Sequence, residues 1–189
     1  MDVFFFIGST YSYLSVMRIG RLAREAGVPL AWRPFNVRAI MVEQNNVPRN
    51  NPVKHRYTWR DIERRAARHG LAFRPGLPYP VDADLLANRV AVVAALEGWC
   101  EAYAQATYKA WFLEHQAPGD PSAILAKLGK DAQAVIARAD SAEIRKRFDD
   151  ETDAARKLGI FGAPTFAVGS EIFWGDDRLD DAIEWARKR

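Results

Sequence analysis

The apolar positions change period several times along the chain, and each change marks a segment. Residues 3–7 are an unbroken apolar run, Val3-Phe4-Phe5-Phe6-Ile7. Such a run fits a strand buried on both faces, in a sheet covered by helices. Gly8-Ser9-Thr10 breaks it, and over residues 12–26 the spacing becomes helical. Leu14, Met17, Ile19, Leu22 and Ala23 supply the apolar face, and Gly27 is the natural end. Residues 30–35 read as a short strand, with Pro34 at a sheet edge or at the strand's end. Residues 45–52, rich in Asn and Pro, read as a loop. Thr58, with Asp61 three residues on, predicts a capped helix over 59–69 that Gly70 ends. After a Pro-rich loop over 74–80, Asp84 is expected to cap a long apolar helical tract over 85–115, broken near Gly98. Residues 122–129 and 131–138 form two short helices, and Ser141 caps another that Gly159 ends. Strand signals return only in residues 164–168 and 171–174, joined as a hairpin by Gly169-Ser170. Residues 177–188 form a last amphipathic helix, with Leu179, Ala182, Ile183 and Ala186 on one face.

The order is therefore β-α-β, a nearly all-helical stretch, then β-β-α. This predicts an α/β protein with a mixed sheet, helices on both faces and a helical domain inserted in the middle. Residues 1–40 and 159–189 would form the discontinuous sheet domain, and 41–158 the insertion.

Two corners of that layout carry candidate chemistry. A strand that turns at once into a helix aims free backbone N–H groups, and the positive end of the helix dipole, at whatever lies above the strand end. Such a place favours anions, thiolates included. Ser9 lies there with a hydroxyl that can donate, although from this stretch alone a helix cap is the commoner use of serine. The second corner is Gly162-Ala163-Pro164-Thr165. A cis bond before Pro164 would turn the backbone of Ala163 outward, able to pair with an extended peptide-like ligand. A plain strand-start proline is the alternative.

Composition narrows the partners. The 189 residues carry a net charge of +3, with Lys and Arg scattered among Asp and Glu. No basic block points to nucleic acid, and an anionic small molecule is the more economical partner. Cys100 is the only cysteine, so an internal disulfide, a CxxC motif and a cysteine metal site are all excluded. His55, His69 and His115 lack metal-ligand spacing, and no metal is expected. No apolar run approaches the ~20 residues that span a membrane. The first strand begins directly after Met1, which leaves no room for a signal peptide and predicts a cytoplasmic protein.

The strand–turn–helix with a polar residue at the turn, and the proline before the third strand, is the layout of the thioredoxin fold. The helical insertion makes it resemble the DsbA-like branch. Ser9-Thr10-Tyr11-Ser12-Tyr13-Leu14 resembles the S-P-Y-S-Y-L motif of the 2-hydroxychromene-2-carboxylate isomerases and kappa-class glutathione transferases. Asn46, Lys54-His55-Arg56-Tyr57 and Arg60-Asp61 resemble that family's loop and following helix. Residues 159–166 and 173–179 resemble its G-V-F-G-V-P-T-F and F-W-G-x-D-R-L motifs. The resemblance implies glutathione as cofactor and Ser9 as the catalytic residue that hydrogen-bonds its sulfur. Ala163, Asp176, Asp177 and Arg178 would bind glutathione with it. Asn46 and Lys54 would face an aromatic carboxylate substrate, Lys54 toward the carboxylate. The implied reaction is a cis–trans isomerisation in aromatic-compound degradation, through reversible addition of the glutathione thiolate. A kappa-like conjugating transferase and a non-catalytic thioredoxin-fold binder are the alternatives, and the family implies a homodimer. Three departures stand out. Thr10 replaces the family proline, Phe6 and Ile7 replace an acidic residue often found in the first strand, and the loop over 45–51 differs.

Overall fold

The computed structural model describes residues 1–47 and 51–189. Pro48, Arg49 and Asn50, the centre of the loop expected over 45–52, lie outside the described residues. The strands are β1 (Asp2–Phe5), β2 (Ala31–Pro34), β3 (Thr165–Val168) and β4 (Glu171–Trp174). They form one sheet in the order β2-β1-β3-β4. β1 runs parallel to β2 and antiparallel to β3, and β3 is antiparallel to β4. The sheet is thus mixed and assembled from both ends of the chain, with β2 at an edge, where Pro34 is tolerated.

Helix α1 (Thr10–Ala26) follows β1, and α2 (Val37–Glu43) follows β2. Then come α3 (Pro52–Arg68), α4 (Leu86–Leu96), α5 (Cys100–Glu114), α6 (Ser122–Lys127), α7 (Ala132–Ala139) and α8 (Ala142–Lys157). A 3-10 turn (Asp176–Arg178) leads from β4 into α9 (Leu179–Arg187). The apolar run of the first strand is buried on both faces, as its pattern requires. Phe5 and Ile7 join the core under α1, α4 and α5, Phe4 and Phe6 pack toward α2 and α8, and Val3 meets α9.

Several helix starts differ from expectation. Thr58 caps nothing: its hydroxyl donates back to the Lys54 carbonyl inside α3. The helix starts earlier because Asn51-Pro52 is the stronger signal. The Asn51 side chain accepts from the N–H groups of Val53 and Lys54, and Pro52 fills a first-turn position that needs no N–H. Asp84 is exposed and does not cap α4. The buried Asp82 does that work, accepting from the N–H groups of Ala87 at 2.9 Å and Asn88 at 3.2 Å. A left-handed Leu85 brings those groups back toward it. Helix α2, hidden from the periodicity by its brevity, is capped by Asn36. Gly98, at φ +79°, separates α4 from α5 at the expected break.

Candidate functional site

The floor of the site is the turn from β1 into α1. Gly8 takes φ +124°, and an added Cβ would meet Phe6 Cε1 at 2.7 Å. Only glycine takes that conformation without strain. Ser9 is the helix cap, with its Oγ accepting from the Ser12 N–H at 3.3 Å. The same Oγ donates to the Ala163 carbonyl at 2.8 Å. The cap and the candidate reactive group are therefore one atom.

Two buried side chains from the helical segment hold this turn. The Asn88 side chain brackets Ile7, accepting from its N–H at 2.8 Å and donating to its carbonyl at 2.9 Å. The Tyr108 hydroxyl points at the carbonyls of Phe6, at 2.8 Å, and Ser9, at 3.1 Å. Arg38, 4.8 Å over the Phe6 ring, donates to the carbonyls of Val81 and Asp82 and fixes the 77–82 loop beside the floor.

Above the floor opens a cavity of about 530 Å³, lined by Ser9, Thr10, Ala163 and Asp177 among others. That volume suits a drug-sized ligand. One wall comes from the Ala163 corner and the 3-10 turn. The Ala163–Pro164 bond is cis, and the Ala163 carbonyl, expected to be free for a ligand, is taken by Ser9. Asp177 and Arg178 are exposed at the turn, 3.6 Å apart. Asp176 is different. Its carboxylate is turned fully inward, onto Arg18 at 2.6 Å and Arg65 at 2.7 Å. Burial pushes its pKa up, but the hydrogen bonds and charges of Arg65 and Arg18 outweigh burial and hold it below the usual carboxylate range. Asp176 is among the residues lining the cavity, with its carboxylate committed to these two arginines.

The opposite wall is aromatic. His55, Trp59 and Tyr79 pack with ring centroids 5.6–6.2 Å apart, and Trp59 Nε1 donates to His55 Nε2 at 3.2 Å. Asn46 and Lys54 line the cavity on this side, both exposed. The ammonium of Lys54 has no ion-pair partner among the described residues. Between the walls, the Tyr11 hydroxyl donates to Asp61 at 2.9 Å. Burial first, then the Asp61 carboxylate, pushes the phenol far up, so Tyr11 stays protonated.

Cys100 is buried between α4 and α5, where its Sγ faces the Ala91 carbonyl at 3.5 Å and burial pushes the thiol up. A second hollow, of about 480 Å³, lies against β2, α4 and α5. Its charges are spent on one another: Arg24 on Glu101, and Arg33 and Arg147 on Glu151. The first cavity, with an uncommitted cation and a donor hydroxyl, is the better ligand site. Among the described residues no cluster of His, Cys, Asp or Glu could hold a metal ion, and no helix is long and apolar enough to cross a membrane.

The profile of the DSBA-like thioredoxin domain matches residues 1–184. The chain belongs to this family. This DSBA-like protein is 28% identical to a 2-hydroxychromene-2-carboxylate isomerase of Pseudomonas putida, over 95% of this chain and 90% of the relative. It is 29% identical to the enzyme of that name from Sphingobium xenophagum, over 95% of this chain and 94% of the relative. A kappa glutathione S-transferase of Caenorhabditis elegans is 25% identical, over 96% and 89% of the two chains. Among solved structures, a 2-hydroxychromene-2-carboxylate isomerase superposes with a TM-score of 0.86 at 28% identity, covering 100% of this chain and 94% of the other. A probable DsbA oxidoreductase from Streptomyces coelicolor, at 18% identity and a TM-score of 0.74, shares the fold.

The structure thus brings Ser9, Ala163, Asp176, Asp177, Arg178, Asn46 and Lys54 around one cavity of the DSBA-like fold, from five separate stretches of chain. It adds residues that sequence reasoning passed over. Arg65, on α3, reaches the cavity and Asp176. Asn88 and Tyr108 sit inside apolar tracts, where a buried amide and a buried phenol each require a partner. Sequence could have flagged that need without saying which backbone meets it.

Proposed function

We propose that this chain is a glutathione-dependent isomerase of the 2-hydroxychromene-2-carboxylate type. The observation that carries the reading is Ser9: a donor hydroxyl on a helix N-terminus, at the floor of a cavity that no cysteine of the chain reaches. A site furnished for a thiolate but lacking its own thiol fits a ligand that brings one. The relatives named above support the substrate class, and the aromatic wall beside Lys54 fits an aromatic ring that carries a carboxylate.

Bound glutathione would supply a nucleophilic sulfur that is regenerated at each turnover. Every other part falls to this chain. The Ser9 hydroxyl turns from the Ala163 carbonyl to the sulfur and, with the α1 N-terminus, lowers the thiol pKa by stabilising the anion. The released Ala163 carbonyl accepts from the cysteinyl N–H, as a strand edge would. Asp177 and Arg178 meet the charged ends of the tripeptide. Lys54 and Asn46 orient the substrate carboxylate, and His55, Trp59 and Tyr79 stack against the ring and exclude water. A homodimer, read by light scattering, belongs to the same proposal.

The test is turnover of 2-hydroxychromene-2-carboxylate by the purified protein, with and without glutathione, together with an assay of free thiol. We expect isomerisation that requires glutathione and leaves its concentration unchanged. Ser9→Ala should lower kcat about 10²-fold or more, the usual effect of removing one preorganised donor from a developing anion. Stoichiometric loss of thiol would instead show conjugation, as in the kappa transferases. Wild-type rates in Ser9→Ala would overturn the role of the serine.

A further inference from the structure

Arg65 differs from the surface arginines around it. Its side chain is 23% exposed and reaches the cavity wall from α3. Nε and Nη2 both donate to one oxygen of Asp176, at 3.1 and 2.7 Å. The other oxygen of that carboxylate accepts from Arg18 at 2.6 Å and from the Ser15 hydroxyl at 3.1 Å. His69 Nε2 lies 3.5 Å from the oxygen that Arg65 holds. Burial first, then the charge of Arg18, lowers the His69 pKa from its ordinary value of 6.5, so at neutral pH it adds no charge.

Arg18 and Arg65 share the Asp176 carboxylate, and the carboxylates of Asp177 and Asp61 also lie near enough to act on Arg65. Arg18 is 11% exposed and its Nε is tied to the Leu14 carbonyl. Arg65 is therefore the guanidinium of the pair that meets the cavity. Binding Asp176 side-on uses Nε and Nη2, and Nη1 makes no hydrogen bond among the described residues. An arginine held this way has already lost its rotamer freedom, so a ligand anion costs less to capture.

Asp177, the neighbour of Asp176, puts an exposed carboxylate on the same wall. A guanidinium edge and a carboxylate side by side complement an α-amino-acid head, which carries a carboxylate and an ammonium on one carbon. Glutathione has one such head, at its γ-glutamyl end. Its glycyl end has only a carboxylate.

We propose that Arg65 binds the α-carboxylate of the γ-glutamyl head while Asp177 takes its ammonium. This rests on the glutathione reading above. Arg64, one residue before, has no such part: it pairs with Asp61 at 3.5 Å and lies 5.6 Å over the Tyr57 ring.

The experiment is calorimetric titration of wild type, Arg65→Gln and Arg65→Lys with two thiols. One is glutathione. The other is 4-aminobutanoyl-cysteinyl-glycine, which lacks only the α-carboxylate. A charge-assisted bidentate contact predicts that wild type binds glutathione about tenfold or more tighter than the analogue. Arg65→Gln should remove that preference, losing affinity for glutathione and keeping that for the analogue. Arg65→Lys keeps the charge beside Asp176 but not the second edge. It should lose most of the preference, and it serves if the glutamine variant fails to fold. Retained preference in the variants, or an equal loss for both thiols, would overturn the assignment and leave the glutathione reading intact. Absence of glutathione binding to wild type at millimolar concentration would overturn the glutathione reading, and this assignment with it.

Discussion

The Ser9 hydroxyl donates to the Ala163 carbonyl at 2.8 Å, joining residues 154 positions apart. One proton thus serves two corners of the site. Without ligand it closes the gap between the floor and the cis-proline corner, and Oγ at the same time caps α1 through the Ser12 N–H. Ser9→Ala therefore loses a cap and a long-range hydrogen bond together. Denaturant unfolding of the ligand-free chain should show a loss of about 1–2 kcal/mol, at an unchanged slope. Ser9→Thr should keep most of that stability.

Asn88 and Tyr108 set the floor without touching the cavity. Asn88→Leu would strip both backbone groups of Ile7 of their partner and leave Asp82 one donor short. A buried group left unsatisfied costs about 1–3 kcal/mol, so this variant should be strongly destabilised. Tyr108→Phe deletes only the hydroxyl and should cost about 1 kcal/mol. If the hydroxyl positions the turn, kcat in Tyr108→Phe should fall while KM for the aromatic substrate holds. Parallel kinetics and melting of the two variants check both statements.

Thr10 is the departure from the family motif that the structure explains most directly. It occupies the first position of α1, where a proline needs no N–H partner. The preceding Ser9 is extended, at φ −87° and ψ 117°, the conformation favoured before proline. Thr10→Pro should therefore be accepted and should stabilise the chain by about 0.4–1 kcal/mol, by restricting the unfolded state. Glutathione affinity within about twofold of wild type, by calorimetry, would show that the threonine hydroxyl has no part in binding.

Asp176 links stability to pH. Its carboxyl titrates lower in the folded chain than in the unfolded one, because the bonds from Arg65 and Arg18 outweigh burial. Its contribution is complete above the unfolded value of about 3.9 and is lost as pH falls through the lower folded value. Asp176→Asn leaves two partly buried guanidiniums without their counter-charge. That should cost about 3–5 kcal/mol at neutral pH and flatten the fall in stability below about pH 4. Urea titrations of both proteins across that range check the sign.

Much of this fold was legible because its signals were local. An apolar run with no polar interruption marked β1 as central, Gly169-Ser170 marked the hairpin, and Gly98 marked the break between α4 and α5. The errors came where two local signals competed. Thr58 with Asp61 imitated a capping box, but Asn51-Pro52 seven residues earlier was stronger, and Asp61 was committed to Tyr11. Asp84 was nearer the helix than Asp82, yet only a left-handed Leu85 decides which of them meets the free N–H groups. In the site, residues in motifs were legible one by one. Those defined by long-range pairing were not: nothing in the sequence near Arg65 announces a carboxylate 111 positions away.

The pins on the β1–α1 turn also bear on when this protein becomes competent. Ile7 waits for Asn88, 81 residues on, and Phe6 waits for Tyr108, 102 residues on. Contacts of such separation form late relative to helical ones, because the intervening loop must first be closed. In refolding, the far-ultraviolet signal of the helices should thus recover before the glutathione binding proposed above can occur. A stopped-flow experiment that follows both would catch an interval in which the protein is largely helical and still inert.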